Sequence, residues 1–524
     1  MRRAGHTVSS MHQLVLGIDL GSTGTKVSLL DATIGFVASR SSPSQLLSDY
    51  PGWAEADTER WWENVCELVP AVAEDAGTDP KAIEAVAVTG MVPAVVPLDR
   101  NLRALGRAIL QNDARATREI AELDAALSAV DYDVLSETGS ALTQQSVAPT
   151  WRWLERNEPT VAEHTAVLVG SYDWLAIALG AEVHVEGNWA IESGLFRLDG
   201  SLAEVVLSAA GLPSTLCAPI RRPGEFVGEV RGAGLLTSLQ EGTPIYVGGA
   251  DHVLAAYAAG LAAPGDWLVK LGGAGDVLVV SDRPAVDKRW YLDAHPVRGL
   301  WLPNGCMATS GALLRWVQEL FGGVPFDELD KAAAAARPAL LVSLPYFLGE
   351  KSPIHDADLR GAIFGLHLAH GRGDVFRSLM EAVAYGFRQH LDIFSEAGLS
   401  LGEGRVSNGG SRSQLWKQIV ADVLGRPLRP VLEHGGAAQG AALVAAVGAG
   451  HLPAFADATR FVRFGEPIDP ADEQHATYDE GYRIYLELQD LLAPFAHRLA
   501  ARERRPAAAK SPSLAGEHTR ENAP

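Results

Sequence analysis

The sequence predicts an α/β protein of two similar domains with a ligand cleft between them. Apolar strand-like runs such as VLGIDL, AVAVTG and IYVGGA alternate with helical stretches, which is the pattern of an α/β fold. Two Gly-rich segments far apart in the chain, residues 17–31 and 269–282, each predict a strand, a tight turn and a second strand. Because each half of the chain carries one such hairpin, we expect the halves to be related domains that face each other.

The domain boundary is expected in the helix-like segment ADHVLAAYAAGLAAPG, which ends at Gly260. The first domain then covers residues 12–253 and the second covers residues 254–500. Both ends of the chain, residues 1–11 and 501–524, are polar and lack apolar periodicity, so we expect them to be disordered.

Helical periodicity is clearest in the stretch DVFRSLMEAVAYGFRQHLDIF. Val375, Leu379, Val383 and Phe387 recur there at fourfold spacing and predict one buried apolar face. The stretch AEADTERWWENVCELV near the start of the chain also predicts a helix.

Composition excludes several classes of protein. A length of 524 residues suits two or three domains, and a net charge of -20 argues against a nucleic-acid partner. Cys66, Cys217 and Cys306 have neither a disulfide pattern nor zinc-site spacing. No apolar run approaches the roughly 20 residues that span a bilayer, and no signal-type segment opens the chain. We therefore expect a cytoplasmic protein without a membrane partner.

The Gly-rich turns of the two hairpins are suited to binding phosphate. Glycine lets the backbone approach an anion closely, and several backbone N–H groups can converge on one phosphate. The segment GSTGTK lacks the GxxxxGK[ST] spacing of a P-loop, and the strand-like VSLL follows where a P-loop would begin a helix. One phosphate loop in each half predicts a nucleotide, ATP, held between the domains.

Several segments in order resemble the FGGY family of carbohydrate kinases, within the superfamily of sugar kinases, Hsp70 and actin. They are GIDLGSTGTK, GWAEADTERWW, GGADH, YFLGEKSPIHDADLRGAIFGLHLAH and SNGGSRSQLWKQIVADVLGRPL, and they span most of the chain. The resemblance implies an actin-like, ribonuclease-H-like ATPase fold with ATP in the interdomain cleft. It also implies transfer of phosphate from ATP, with Mg²⁺, to a small sugar or polyol.

Asp251 is the expected catalytic base, because the resemblance places the family's proton acceptor there. The residue follows VGGA, where a strand gives way to a helix, so it projects at the strand's carboxyl end. An Asp before a helix also serves as an N-cap, and the two roles are compatible. Asp19 matches the metal-linked aspartate of the family, so Asp19 and Asp251 are the expected Mg²⁺ ligands.

The expected nucleotide contacts follow from the same resemblance. Lys26 is either a point charge on phosphate or a solvated strand residue. Relatives commonly have Gly-Thr where this chain has Gly273 and Ala274, so backbone amides alone would serve the second loop. Gly435 and Gly436 are expected to serve helix packing. The full expected set is Gly21, Ser22, Thr23, Gly24, Thr25, Lys26, Gly272, Gly273, Ala274, Ser310, Leu314, Gly410, Ser411 and Gln414.

The first-half segments look most like those of xylulokinases, which predicts a pentulose as the phosphate acceptor. Xylulokinases usually have Met-His where this chain has Val92 and Pro93, so one imidazole contact to the sugar is lost. His252 could supply that contact from the opposite wall, or be a core histidine. The other expected pocket residues, which can hydrogen-bond or pack against a polyhydroxy ligand, are Trp53, Gln111, Asn112, Asp113 and Asn188.

Three alternatives stay open on the sequence. The acceptor could be another ketose or polyol, such as ribulose, erythritol or a glycerol-like compound. The protein could be a catalytically weak sugar sensor, because of Ala274 and the Val92–Pro93 pair. It could also be a non-catalytic ATPase of the actin and Hsp70 kind. A homodimer is a further expectation.

Overall fold

The first Gly-rich hairpin lies at the centre of a six-stranded sheet in the computed structural model, which describes residues 13–433 and 435–503. Strands β1 (Leu14–Gly21) and β2 (Gly24–Asp31) pair antiparallel, as the alternating apolar pattern predicts. The predicted disordered ends lie almost wholly outside the described residues, although residues 501–503 are helical.

The remaining strands vary in length, and the first of them is as long as nine residues. They are β3 (Gly35–Pro43), β4 (Glu55–Ala56), β5 (Ile83–Gly90), β6 (Val96–Leu98), β7 (Ala108–Ile109), β8 (Val167–Val169), β9 (Val185–Glu186), β10 (Ile220–Arg221), β11 (Phe226–Glu229), β12 (Pro244–Ala250), β13 (Trp267–Leu271), β14 (Gly275–Val279), β15 (Tyr291–Ala294), β16 (Trp301–Met307), β17 (Val342–Leu344), β18 (Ala362–Phe364), β19 (Gly404–Ser407), β20 (Leu428–Leu432) and β21 (Arg463–Phe464).

The helices alternate with these strands along the chain. They are α1 (Thr58–Asp75), α2 (Thr117–Ser128), α3 (Val134–Thr138), α4 (Val147–Asn157), α5 (Pro159–His164), α6 (Ser171–Leu179), α7 (Gly187–Ser193), α8 (Glu204–Ala210), α9 (Asp251–Ala258), α10 (Gly311–Leu320), α11 (Phe326–Ala335), α12 (Arg372–Glu396), α13 (Gln414–Leu424), α14 (Ala437–Gly448) and α15 (Asp472–Glu503). Within the described residues, no helix combines the length and apolar character that a bilayer crossing requires.

The first sheet, in the order β11-β12-β5-β1-β2-β3, forms the core of the first lobe. β1 pairs parallel with β5, and β5 pairs parallel with β12. Parallel strands end at the same edge of a sheet, so the turn after β1 and the start of α9 lie at one edge. That edge faces the second lobe.

The second sheet repeats this plan in the order β15-β16-β14-β13-β19-β20-β21. Its central hairpin, β13 and β14, is the second Gly-rich segment, with Val269 opposite Val277. β13 then pairs parallel with β19, just as β1 pairs with β5. The two predicted hairpins are therefore confirmed as equivalent elements of two related lobes.

Helix α12 is the core helix of the second lobe. Leu379, Val383 and Phe387 are fully buried and Val375 is partly buried, which confirms the predicted apolar face. Helix α1 covers β2 and β3 in the first lobe, and Asp57 caps it by accepting a hydrogen bond from the Glu59 N–H.

Helix α14 belongs to the second half of the sequence but packs on the first sheet, against β1, β2, β5 and β12. Small residues allow this close approach. A Cβ added at Gly17 would lie 1.9 Å from the Ala438 carbonyl oxygen, and one at Gly440 would lie 2.1 Å from that of Leu254. The domain boundaries proposed from the sequence remain predictions.

Candidate active site

A cleft of about 740 Å³ lies at the carboxyl ends of the strands, between the two lobes. Both hairpins and α9 contribute side chains to it, and the turn that precedes α13 closes one side. Residues expected from the sequence meet here from distant parts of the chain. The lining includes Asp19, Lys26, Asp251, His252, Lys270 and Ser411.

Asp251 begins α9 directly after β12, so the fold presents its carboxylate at the cleft. Its Oδ1 accepts a hydrogen bond of 2.6 Å from the backbone N–H of His252 and lies 3.4 Å from the Nδ1 of that ring. The side chain keeps 37% of its exposure, which lets a ligand in the cleft reach it. The carboxylate is thus held at one oxygen and open to solvent.

The first hairpin carries a facing Asp–Lys pair. Asp19 on β1 lies opposite Lys26 on β2, and the Lys26 Nζ donates a hydrogen bond of 2.5 Å to the Gly435 carbonyl oxygen. Burial and the charge of Asp251 raise the pKa of Asp19 to about 8, against the opposing effect of Lys26. Burial lowers the pKa of Lys26, and Asp19 partly offsets that effect.

The second hairpin carries the same pair in reverse order. Lys270 on β13 lies opposite Asp276 on β14, with 2.8 Å between the Nζ and the Asp276 Oδ2. Burial opposes the charge of Lys270, but the charge and hydrogen bond of Asp276 outweigh it, so the pKa of Lys270 is raised. The cleft therefore has a fixed cation on each hairpin, as an anion-binding site requires.

The carboxylates of Asp19 and Asp251 could together bind a metal ion. The Oδ1 of Asp19 is buried without a hydrogen-bond partner in the described part of the chain, and the charge of Asp251 raises the pKa of Asp19. Hard oxygen donors that repel each other suit a divalent cation such as Mg²⁺. Glu192, His252 and Asp293 also bring ligand atoms within 4.8 Å of one another, behind Asp251.

The expected phosphate-binding residues occupy the two turns. Gly21 ends β1, Ser22 and Thr23 form the tip with Thr23 exposed and Ser22 half-buried, and Gly24 begins β2. The Thr25 side chain is buried and accepts a hydrogen bond of 3.4 Å from the Asn64 amide, away from the cleft. The second turn is built from Gly272, Gly273 and Ala274, and it is bound to the start of α10.

Two residues expected near adenosine, Ser310 and Leu314, lie at the start of α10 beside the second turn. The carbonyl oxygens of Gly272 and Gly273 accept hydrogen bonds from the backbone before and in α10, including that of Ser310. Leu314 is a core residue, and the buried Ser310 Oγ has no partner among the described residues.

The turn before α13 places the other expected adenosine contacts at or beside the cleft. Ser411 lines it, with its Oγ donating to the Asn408 carbonyl oxygen. Gly410 packs under Trp416, where a Cβ would lie 2.4 Å from the indole ring. Gln414 is exposed at the start of α13. Gly435 and Gly436, expected in helix packing, line the cleft instead.

The expected sugar-binding residues are spread over the first lobe. Val92 and Pro93 are buried. Trp53 stacks with Arg115, whose guanidinium carbon lies 3.8 Å from the ring centroid. Asn112 is exposed. Of the expected set, Asp251 and His252 line the main cleft.

The three remaining pocket candidates have structural partners or are buried. Asp113 binds Arg115 at 2.7 Å, and the Asn188 side chain pairs with the backbone of Ala294. The Oε1 of Gln111 is buried without a partner in residues that the structure describes.

Sequence reasoning missed the charged residues that come from the second lobe. Lys270 and Asp276 had a signal, because facing positions of a Gly-rich hairpin repeat the Asp19–Lys26 pair. Arg412, Lys417 and Glu433 also line the cleft, and no local pattern marks them.

Comparison with known proteins identifies the family of this chain. Residues 14–258 match the N-terminal domain of the FGGY family of carbohydrate kinases, and residues 271–449 match its C-terminal domain. The crystal structure of a xylulose kinase from Rhodospirillum rubrum is 40% identical, with a TM-score of 0.87, over 93% of this chain and 100% of that one. A xylulose kinase of Staphylococcus epidermidis is 25% identical over 90% of this chain and 96% of its own length.

An Escherichia coli relative named L-xylulose/3-keto-L-gulonate kinase is 27% identical over 93% of this chain and 99% of its own length. The two matched domains cover most of the sequence, so the chain belongs to the FGGY family of carbohydrate kinases. It is an ATP-dependent carbohydrate kinase with an actin-like fold, and it resembles xylulose kinases most. The resemblance predicted from the sequence is confirmed.

Proposed function

We propose that this kinase transfers the terminal phosphoryl group of ATP to a hydroxyl of a pentulose such as xylulose, with Asp251 as general base. The observation that carries the proposal is the Asp251 carboxylate, open to the cleft between two cationic hairpins. Phosphoryl transfer needs a positioned proton acceptor and charge stabilisation around the phosphates, and this arrangement supplies both. The names of the relatives support a ketose acceptor.

Each residue has a role in the proposed reaction. Asp251 accepts the proton of the attacking hydroxyl and thereby makes that oxygen a better nucleophile. Lys26 and Lys270 stabilise the negative charge of the phosphates, and the backbone N–H groups of the two turns orient them. Asp19 and Asp251 would hold Mg²⁺. When bound, the ion neutralises charge across the phosphate oxygens.

The acceptor is proposed as a pentulose rather than a longer ketose or a polyol. The relative with 40% identity is named a xylulose kinase, while the Escherichia coli relative extends the class to L-xylulose and a keto-gulonate. A panel of xylulose, ribulose, erythritol, glycerol and hexuloses, assayed for ADP release, decides among these. ADP release with polyols alone would contradict the pentulose assignment, and sugar binding without ADP release would support a sensor.

The role of Asp251 is tested by Asp251→Asn, which removes the proton acceptor and keeps the shape. We expect turnover to fall by about 10²- to 10⁴-fold, the usual contribution of a general base, while ATP still binds. Asp282→Asn, at an exposed carboxylate after the second hairpin, is the matched control. Full turnover in Asp251→Asn would contradict the proposed mechanism.

A further inference from the structure

A buried chain of ionisable side chains lies behind Asp251, and the proposed phosphoryl transfer does not use it. The Nε2 of His252 lies 2.8 Å from the Oδ2 of Asp293, while its Nδ1 lies 3.4 Å from the Oδ1 of Asp251. Glu192 on α7 also lies beside this group, because one side-chain atom each of Glu192, His252 and Asp293 lie within 4.8 Å of one another. One imidazole ring therefore connects the catalytic carboxylate to a second carboxylate.

The members of this chain are shielded from water. The Asp293 side chain is fully buried and the His252 side chain keeps 17% of its exposure. A buried carboxylate is costly unless it is paired, and in the described part of the chain the His252 ring is the ion-pair partner of Asp293. This pairing fixes the plane and position of the imidazole.

The contact between His252 and Asp293 joins the two lobes. His252 lies on α9, which follows the first sheet, and Asp293 lies on β15, an edge strand of the second sheet. Asn188 on α7 holds that strand in place, since its Oδ1 accepts from the Ala294 N–H at 2.6 Å and its amide donates to the Ala294 carbonyl oxygen at 3.1 Å. Asp293 is thus held rigidly next to the first lobe.

We propose that Asp293 is a positioning residue for the kinase reaction, which acts through His252 to fix the orientation of the Asp251 carboxylate. The inference rests on the proposed role of Asp251 as base. The backbone N–H and the ring of His252 both approach Oδ1, which leaves Oδ2 for the acceptor hydroxyl. A misplacement of about 1 Å in such a site can cost on the order of 10² in rate, so an anchored base has a measurable advantage.

The same three side chains could instead be read as metal ligands, since one His and two carboxylates suit a transition metal. The separation of 2.8 Å between the His252 Nε2 and the Asp293 Oδ2 is that of a direct hydrogen bond. The ring is therefore oriented by Asp293 itself. A stoichiometric transition metal in the purified protein that His252→Asn removes would overturn the positioning role.

The test is a double-mutant cycle on kcat. Asp293→Ala removes the hydrogen-bond acceptor, and we expect kcat to fall about 10- to 100-fold with KM for ATP within about twofold. Asp293→Asn keeps an acceptor oxygen and should restore most of the lost rate. In a His252→Asn background the connection from Asp293 to Asp251 is already broken, so adding Asp293→Ala should lower kcat by less than about twofold further. Equal losses in both backgrounds would show a merely structural role and overturn the inference.

Controls separate this inference from the proposed function. Asp287→Asn alters a carboxylate just before β15 that pairs with Arg289, and it should leave kcat unchanged. If Asp251→Asn keeps full turnover, the proposed base is wrong whatever the cycle shows. A crystal structure of Asp293→Ala, with His252 intact, gives a readout without turnover. We expect the Asp251 carboxylate to be turned or disordered there, and an unchanged carboxylate would overturn the inference.

Discussion

Asp19 and Asp251 are the two residues that we propose to hold Mg²⁺ in the cleft. The pKa of Asp19 is raised to about 8 by burial and by the charge of Asp251. A cation between the two carboxylates would remove that repulsion and release the proton of Asp19. The Oδ1 of Asp19, which has no hydrogen-bond partner among the described residues, would then be a ligand atom.

Asp19→Asn should therefore raise the Mg²⁺ concentration needed for half-maximal rate by about 10- to 100-fold, the range found when groups around a metal are removed. The measurement is a Mg²⁺ titration of the initial rate at saturating ATP and sugar. Asp282→Asn serves as the control. An unchanged Mg²⁺ dependence would exclude Asp19 from the metal site.

His390 gives a prediction on pH and stability. Burial lowers the pKa of this imidazole to about 4, and its Nδ1–H donates to the Gly386 carbonyl oxygen while Nε2 accepts from the Ser352 hydroxyl. The unfolded chain has the ordinary pKa of about 6.5. Between these values the unfolded state binds a proton that the folded state does not, so stability is lost as pH falls below about 6.5.

We expect the free energy of unfolding of the wild-type protein to fall by about 2 kcal/mol from pH 7 to pH 5 because of His390. The slope below pH 6.5 is about 1.4 kcal/mol per pH unit. His390→Gln removes the titrating group and should remove this part of the pH dependence. The measurement is urea unfolding of both proteins at the two pH values. The exposed His164→Gln is the control, and parallel pH profiles for wild type and His390→Gln would contradict the prediction.

The places of Asp251 and Lys26 in the cleft were predictable from local sequence, while their roles remain predictions. Asp251 and Lys26 stand in short motifs whose turn geometry can be inferred from the glycines around them. Asp293 stands on a four-residue strand with no motif, and it acquires a role only when the fold brings β15 beside α9. The predictions for Trp53 and Asn112 depend on pocket shape, which no local pattern encodes.

At the scale of elements, α14 packs closely against β1. The helix lies against the first sheet at Gly17, where a Cβ would overlap the backbone of the helix. A side chain there would push the helix away from β1, which carries Asp19, and from β12, which leads into Asp251 at the start of α9. The contact thus supports both the lobe and the site.

Gly17→Ala should destabilise the protein by about 1 to 3 kcal/mol, the usual cost of overpacking, and lower turnover as well. Gly187→Ala is the matched control, because nothing lies within 4 Å of a Cβ at that position. The measurement is the midpoint of thermal unfolding together with kcat. A Gly17→Ala protein as stable as the control would show that α14 can shift at no cost.

Elements were predictable where periodicity is strong, as in the two hairpins and in α12. The surface against which α14 packs was not predictable, because a helix of small residues such as AAQGAALVAAVG fits any flat apolar surface. The fit depends on Gly17 of β1 and on Gly440 of α14 itself, which lies against Leu254 of α9, and these contacts join positions that are far apart in sequence.

At the scale of the whole molecule, the two lobes do not correspond to two independent halves of the chain. Val15, Leu30, Ala85 and Ala87 on the first sheet form one core cluster with residues of α9 and α14. A first half without α14 would expose this apolar surface to water, which costs about 25 cal/mol for each Å².

A fragment of residues 1–262 should therefore aggregate or bind a hydrophobic dye and lack a cooperative thermal transition. The same fragment with residues 437–462 fused through a flexible linker should recover the transition. Calorimetry and dye fluorescence compare the two proteins. A fragment of residues 1–262 that melts cooperatively would contradict this account of the first lobe.

The path of α14 also has a mechanical consequence. The chain passes between the lobes after α9, again between β20 and α14, and a third time from the turn at Phe455–Phe461 to β21. Three covalent crossings oppose any sliding or parting of the lobes, because each would be stretched. A hinge rotation of one lobe relative to the other about these crossings does not stretch them. We therefore expect substrates to enter when the lobes rotate apart at the side of the cleft that lies away from the crossings.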